Sequence, residues 1–176
     1  IRRKNVLGLL HAFAELHRVM PEARLRLAGD EHSEAAYAAQ CRQFVADQGL
    51  HQAVSFLGWL DEPAMQAEYS RCTCLALPSW QETAPVAIEQ AMAAGRVVVA
   101  SAVGGVRHLL AGGQAGLLVQ PGDEAGLAAA LRQALVDASL RQRLGQAARR
   151  EAETRFRAAV VAHQTVAVYQ QIVNEA

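Results

Sequence analysis

The sequence predicts an α/β protein, a doubly wound parallel sheet in three α/β/α layers with extra helices at the C-terminus. Three observations predict it. Strand-like and helix-like stretches alternate from residue 24 to residue 136. Residues 74–77 (CLAL) and 97–100 (VVVA) are continuous apolar runs, the pattern of strands covered on both faces. The apolar share is 52 % with only 5 % aromatic residues, which predicts an aliphatic, helix-rich core. At 176 residues the chain suits one domain with a full core.

The elements follow in order. Asn5 offers a cap for a helix over residues 6–20, where Val6, Leu9, Leu10, Phe13, Leu16 and Met20 recur at helical spacing until Pro21. Residues 24–28 alternate like a strand and end in Gly29-Asp30. Ser33 offers a cap for a helix over 34–48, closed by Gly49. A short strand, 54–57, ends at Gly58, and a helix over 62–70 has Pro63 near its first position. The strand 74–77 leads through a polar turn into a helix from about Pro85 to residue 94. The strand 97–100 precedes the turn Val103-Gly104-Gly105, a helical stretch over 106–111 and a strand over 116–119. Pro121-Gly122-Asp123 then turns into a helix over 124–136, and helices over 140–154 and 158–174 complete the chain. No internal repeat or low-complexity segment interrupts it. Ligands of such folds bind at the carboxyl ends of strands, so Gly29-Asp30, Gly58-Trp59, residues 78–84 and residues 101–105 are expected along one edge.

Composition removes several classes of function. Lys and Arg total 17, as do Asp and Glu, so no basic excess points to nucleic acid. Three cysteines, Cys41, Cys72 and Cys74, lack zinc-type spacing and read as buried free thiols in a reducing cytoplasm. No His/Cys/Asp cluster has metal-ligand spacing, no nucleophile–base pair is apparent, and no apolar run approaches membrane-spanning length. The first residue is Ile1 rather than a methionine, no signal peptide follows, and a basic turn enters a helix at once. The expectation is a fragment of a longer protein.

Chemistry concentrates in residues 78–95, PSWQETAPVAIEQAMAAG. A helix start leaves N–H groups without internal partners and favours negative charge. Glu82 lies just before that start, and Glu89-Gln90 in the first helical turns. An anion site beside a carboxylate that accepts from hydroxyls suits a sugar–phosphate ligand. Plainer readings stand beside this one. In them Glu82 only complements a helix dipole, Glu89 is an ordinary solvated acid, and Lys4 with Arg2 and Arg3 makes a charged surface turn. Gly104-Gly105 makes only a tight turn. His11 and His17 face solvent, His32 at a strand end is either an ordinary surface residue or a phosphate neighbour, and Trp59 either flanks a base or packs.

These residues together resemble the C-terminal, donor-binding half of retaining glycosyltransferases of the Rossmann-like GT-B fold, the group 1 or family-four type. Lys4-Asn5 resembles the basic turn opening that domain, and Leu9 to Phe13 its first helix. Leu25 to Asp30 and Phe56-Leu57-Gly58 are similar to its first two strand ends. The Pro-Ser-x-x-Glu signature falls on Pro78, Ser79 and Glu82, and the Ala-Met-Ala-x-Gly helix on Ala91 to Gly95. Val97 to Gly105 and Ala115 to Asp123 resemble the closing segments. The resemblance implies a nucleoside-diphosphate sugar, UDP- or GDP-linked, as substrate, with neither cofactor nor metal. It implies polysaccharide biosynthesis of a bacterial type, and a separate N-terminal acceptor domain as partner, with the whole protein cytoplasmic or at the cytoplasmic membrane face. By the same resemblance Glu82 contacts sugar hydroxyls, while Lys4 and the turn Thr83, Ala84, Pro85 and Val86 hold the diphosphate. Gly29, Gly58 and Trp59 line the nucleotide pocket.

Three departures qualify the pattern. Eight positions after Glu82, where the family carries the ribose-binding glutamate, stands Gln90, and Glu89 lies one residue early. Ala91-Met92 keeps the family register and favours Gln90, with Glu89 as the alternative. Thr83-Ala84-Pro85 replaces a glycine-rich turn, leaving less room for close backbone approach. Arg107-His108 replaces Pro-Glu, so His108 receives no role. The expected activity is glycosyl transfer with retention to an acceptor hydroxyl, by a domain inactive without its other half. A non-catalytic sugar–nucleotide-binding module and a GT-B-fold nucleotide-sugar epimerase are the alternatives.

Overall fold

A computed structural model describes residues 1–175. Its centre is β4 (Val97–Ser101), in which all five residues are buried. It pairs in parallel with β3 (Cys74–Leu77), Cys74 opposite Val97, and with β5 (Leu117–Val119), Val99 opposite Leu117. Side chains alternate across a strand, so β4 feeds two cores. Val97 and Val99 join Leu9, Leu10 and Phe13 of α1 (Val6–Val19), Cys41 and Val45 of α2 (Ala35–Asp47), and Leu127 and Leu131 of α6 (Glu124–Val136). Val98 and Ala100 point the other way. They meet Tyr69 of α3 (Glu62–Arg71), Ile88, Ala91 and Met92 of α4 (Val86–Ala93), Val106 and Leu109 of α5 (Val106–Leu109), and Ala148 of α7 (Ala138–Glu151). Each fully buried Val, Leu or Ile contributes about 1.5–3 kcal/mol, and together they hold helices on both faces of the sheet.

The expected fold class holds, with the strands divided between two sheets. β1 (Leu25–Ala28) pairs in parallel with β2 (Val54–Gly58), apart from the β3-β4-β5 sheet. β1 alternates between half-buried and exposed residues. Its outward Arg26 forms a two-pronged ion pair with Glu68, at 2.7 and 2.9 Å. A register shift between Leu27 and Ala28 bends the strand end. Unlike the fully buried β4, β1 keeps one face exposed, while Leu25, Leu27, Val54 and Phe56 pack on the core that Val97 and Val99 enter.

Aspartates cap three helices. Asp61 accepts from the Ala64 N–H at 3.0 Å, Asp123 from Gly126 at 2.8 Å and Asp137 from Leu140 at 2.8 Å. The two caps expected at Asn5 and Ser33 do not form. Asn5 stands left-handed at φ 53° with no side-chain cap bond. Its amide instead fills the space over Gly8, where a Cβ would lie 2.7 Å from it. The Ser33 N–H donates to Asp30, as does that of His32, so the loop closes on Asp30 and α2 begins only at Ala35. The helix expected over 106–111 stops at Leu109 and passes into a 3-10 turn, Ala111–Gly113. α7 starts at Ala138 and gives way to a π turn, Ala152–Phe156, before α8 (Ala158–Glu175). Val161, Val166, Val168, Tyr169, Ile172 and Val173 of α8 are exposed. Among the described residues no helix is long and apolar enough to cross a membrane.

Candidate functional site

The carboxyl end of β3 makes the site. After Leu77 the chain passes through buried Pro78 and Ser79 into the loop that carries Glu82. Two contacts pin this loop to the N-terminal turn. The Trp80 N–H donates to the Arg3 carbonyl at 2.9 Å, and the Arg3 guanidinium donates to the Gln81 carbonyl at 2.7 Å. The basic turn and the loop are thereby one unit, although 78 residues separate Lys4 from Glu82.

Glu82 is buried, its side chain only 4 % exposed, and it holds two cations. Lys4 Nζ donates to Oε1 at 2.6 Å, and Arg3 approaches Oε2 at 3.3 Å. Burial pushes the Glu82 carboxyl up, but the Lys4 hydrogen bond, the nearby Ser79 hydroxyl and the Lys4 and Arg3 charges outweigh it. The net direction is below the ordinary carboxylate value, so Glu82 is ionised at neutral pH. Lys4, whose side chain is 31 % exposed, keeps donors free for an incoming anion.

A second loop supports the first. Gly104, at φ +47°, and Gly105 pass so close that a Cβ on them would lie 1.8 Å from the Glu82 carbonyl oxygen and 2.1 Å from that of Thr83. The Gly105 N–H donates to the Thr83 carbonyl at 3.1 Å. These glycines are therefore required by close approach, beyond making a turn. Sequence reasoning missed the parts played here by Arg3 and Gly105. Three consecutive basic residues and a Gly-Gly pair after a buried strand are the signals that could have found them.

Beyond Glu82, Thr83, Ala84 and Val86 are exposed and Pro85 is buried. Pro85 precedes α4 with no side-chain cap, leaving first-turn amides and the positive end of the dipole toward the loop. Gln90 is exposed on α4, its Oε1 accepting from the Tyr69 hydroxyl at 3.2 Å. Glu89 is half-buried and makes no hydrogen bond or ion pair among the described residues. Gly29 and Gly58 meet at the carboxyl ends of β1 and β2, where the Gly29 N–H donates to the Gly58 carbonyl at 2.8 Å. Trp59 follows, 75 % exposed. Among the described residues no hydrogen bond links these three to the Glu82–Lys4 pair.

The histidines divide. His11 lies against Phe44 with Nδ1 3.0 Å from Glu124, and half-buried His17 stacks on Phe13 with a buried, unpartnered Nδ1, so neither simply faces solvent. His32 is exposed, and its backbone N–H closes the Asp30 turn. The three cysteines are free thiols, but only Cys41 is fully buried, Cys72 and Cys74 being half-buried around the start of β3, and burial pushes Cys74 up to about 12. Among the described residues no group of three or more His, Cys, Asp or Glu side chains is arranged to hold a metal ion.

Residues 1–137 match the family model described as glycosyl transferases group 1. A glycogen synthase of Mycobacterium tuberculosis is 33 % identical over 166 residues, covering 94 % of this chain and 39 % of that protein. A D-inositol 3-phosphate glycosyltransferase of Corynebacterium efficiens is 32 % identical over 165 residues, covering 93 % and 39 %. Among solved structures, sucrose-phosphate synthase from Thermosynechococcus elongatus superposes with a TM-score of 0.87 at 29 % identity, over 100 % of this chain and 44 % of that one. Anabaena HepE, solved with UDP and glucose, superposes with a TM-score of 0.88 at 26 % identity, over 97 % and 45 %. The chain thus spans about two fifths of the length of these two curated relatives. With the family model covering most of the chain and relatives a third identical along nearly all of it, the chain belongs to the group 1 glycosyl transferases.

Proposed function

We propose that this chain binds a nucleoside-diphosphate sugar and is the donor half of an enzyme that transfers the sugar, with retention, to an acceptor hydroxyl. The observation that carries the reading is the buried Glu82 carboxylate held 2.6 Å from Lys4 Nζ, beside the uncapped start of α4. Glu82 accepts from sugar hydroxyls, and Lys4 with the first α4 amides stabilises charge on the leaving diphosphate. Arg3 and the Gly104-Gly105 loop keep this unit in place. Gln90 faces the ribose, and Gly29, Gly58 and Trp59 flank the nucleotide. The likeness to HepE, solved with UDP and glucose, supports a uridine nucleotide. Partial coverage of the relatives and the exposed apolar residues of α8 support an N-terminal acceptor domain in the intact protein, which would act in the cytoplasm.

The test is titration of the intact protein with UDP-glucose and with UDP. Glu82→Ala is expected to weaken UDP-glucose binding roughly tenfold, the cost of a charge-assisted hydrogen bond or two, with a much smaller effect on UDP. Equal losses for both ligands would remove the sugar contact from Glu82. Gln90, an amide where the family pattern has a carboxylate, favours a second reading, a non-catalytic nucleotide-sugar-binding module. Slow donor hydrolysis by the intact protein separates the two, since only a competent enzyme releases free sugar.

A further inference from the structure

We infer that Tyr69 is a positioning residue that orients the Gln90 amide so that its NH2 group, and not its carbonyl, meets the nucleotide ribose. The inference rests on the nucleotide-sugar reading above. Tyr69 lies in the last turns of α3 and is 4 % exposed, yet its hydroxyl reaches the exposed Gln90 on α4. Gln90 Oε1, at 3.2 Å, is the sole partner of that hydroxyl among the described residues. Burial raises the phenol above its ordinary value, so it remains protonated and a donor.

An amide has one oxygen and two N–H donors. Tyr69 takes one of the two lone pairs of Oε1 and fixes the oxygen toward α3, so the side of Gln90 turned away from Tyr69 presents the two N–H donors. Flipping the amide would aim N–H at a phenol whose own proton then lacks an acceptor in a buried site, which is unfavourable. A carboxylate at position 90 could take the Tyr69 hydroxyl on one oxygen and a ribose hydroxyl on the other. Gln90, held in this orientation, offers its N–H groups to a ribose oxygen, which accepts. The contact is neutral, and this chain should distinguish ribose from a sugar lacking both hydroxyls less sharply than a carboxylate would.

The test is calorimetric titration of the intact protein with UDP and with 2′,3′-dideoxyuridine diphosphate, repeated with the guanosine and adenosine pairs. The readout is the affinity ratio within the tightest-binding pair. For wild type a ratio of roughly three to ten is expected, one or two neutral hydrogen bonds. Gln90→Ala should bring the ratio near one. Tyr69→Phe should lower it at least twofold while the melting temperature stays within a few degrees. Gln90→Glu should raise the ratio, and raise it less when Tyr69→Phe is added. A ratio unchanged by Tyr69→Phe but lost in Gln90→Ala overturns the role of Tyr69 and leaves the nucleotide site standing. If Tyr69→Phe does not fold, Gln90→Glu alone decides, and an unchanged ratio in that variant overturns the inference. A ratio lost in Glu89→Ala and kept in Gln90→Ala moves the ribose to Glu89 and overturns it as well. If wild type binds none of the diphosphates, the nucleotide-sugar reading falls and the inference with it.

Discussion

At Glu82 two opposing effects of burial can be weighed. Removing a carboxylate from water disfavours its ionised form, and an unpartnered carboxylate here would take up a proton. Lys4, Ser79 and Arg3 reverse that, so the folded-state value lies below the unfolded one. A group depressed in this way stabilises the fold above its unfolded value, about 4.3 for Glu, and that contribution is lost as pH falls through the folded value. Glu82→Gln is therefore expected to lower the melting temperature at pH 7, by the equivalent of about 1–2 kcal/mol. The gap to wild type should narrow as pH is lowered below about 4. A melting series from pH 7 to pH 3 on both proteins checks this, and a gap that widens toward acid would contradict the assigned ion pair. Glu82 is legible as a carboxylate just before a helix start, whereas Lys4 and the choice of Gln90 over Glu89 enter only through the family resemblance. Tyr69 is not legible, because a tyrosine near the end of a short helix carries no sign of which neighbouring helix it will touch.

Elements meet at the site through two loops packed backbone to backbone. The loop after β4 lies against the loop after β3 because Gly104 and Gly105 carry no Cβ. Gly105 is the cleaner position to test, since its φ of −74° suits any residue and only space forbids a side chain. Its Cβ would lie 2.1 Å from the Thr83 carbonyl oxygen, which is backbone and has no rotamer by which to yield. Gly105→Ala should therefore displace the Glu82 loop. The expected cost is about 1–3 kcal/mol in urea unfolding, with weaker binding of UDP-glucose than wild type. Alanine accepted with stability and binding both unchanged would show that the two loops separate easily. Element boundaries are legible where aspartate or proline punctuates the chain, as at Asp61-Glu62-Pro63 and Asp123-Glu124. The start of α1 after Asn5 is read correctly although the Asn5 side chain makes no cap bond, and the start of α2 is misread by one residue because the Ser33 N–H closes on Asp30.

Across the whole molecule, α4 ties the site to α7, which shares its face of the sheet. It starts after the Glu82 loop and ends at Ala93, two residues before Gly95, against which α7 packs through Gly145. A Cβ on Gly145 would lie 2.4 Å from the Gly95 carbonyl oxygen. Gly145→Ala should therefore force α7 away from α4 and lower the melting temperature by the equivalent of about 1–3 kcal/mol. Because this contact lies at the opposite end of α4 from Glu82, UDP-glucose affinity of the folded variant should remain near wild type. A large loss of affinity with little change in melting would show that α4 transmits the displacement along its length.

The sequence by itself determined the order of strands and helices, the two-sided burial of β4 and the family, since periodicity, punctuation and motif spacing are local properties. Only the tertiary structure decided that the strands fall into two sheets. It also decided that Glu82 is an ionised, cation-bound carboxylate and that Gly104-Gly105 exists to let two backbones touch. Each of these depends on atoms far apart in the chain, such as Lys4 and Glu82, and their proximity is fixed by packing rather than by any local preference.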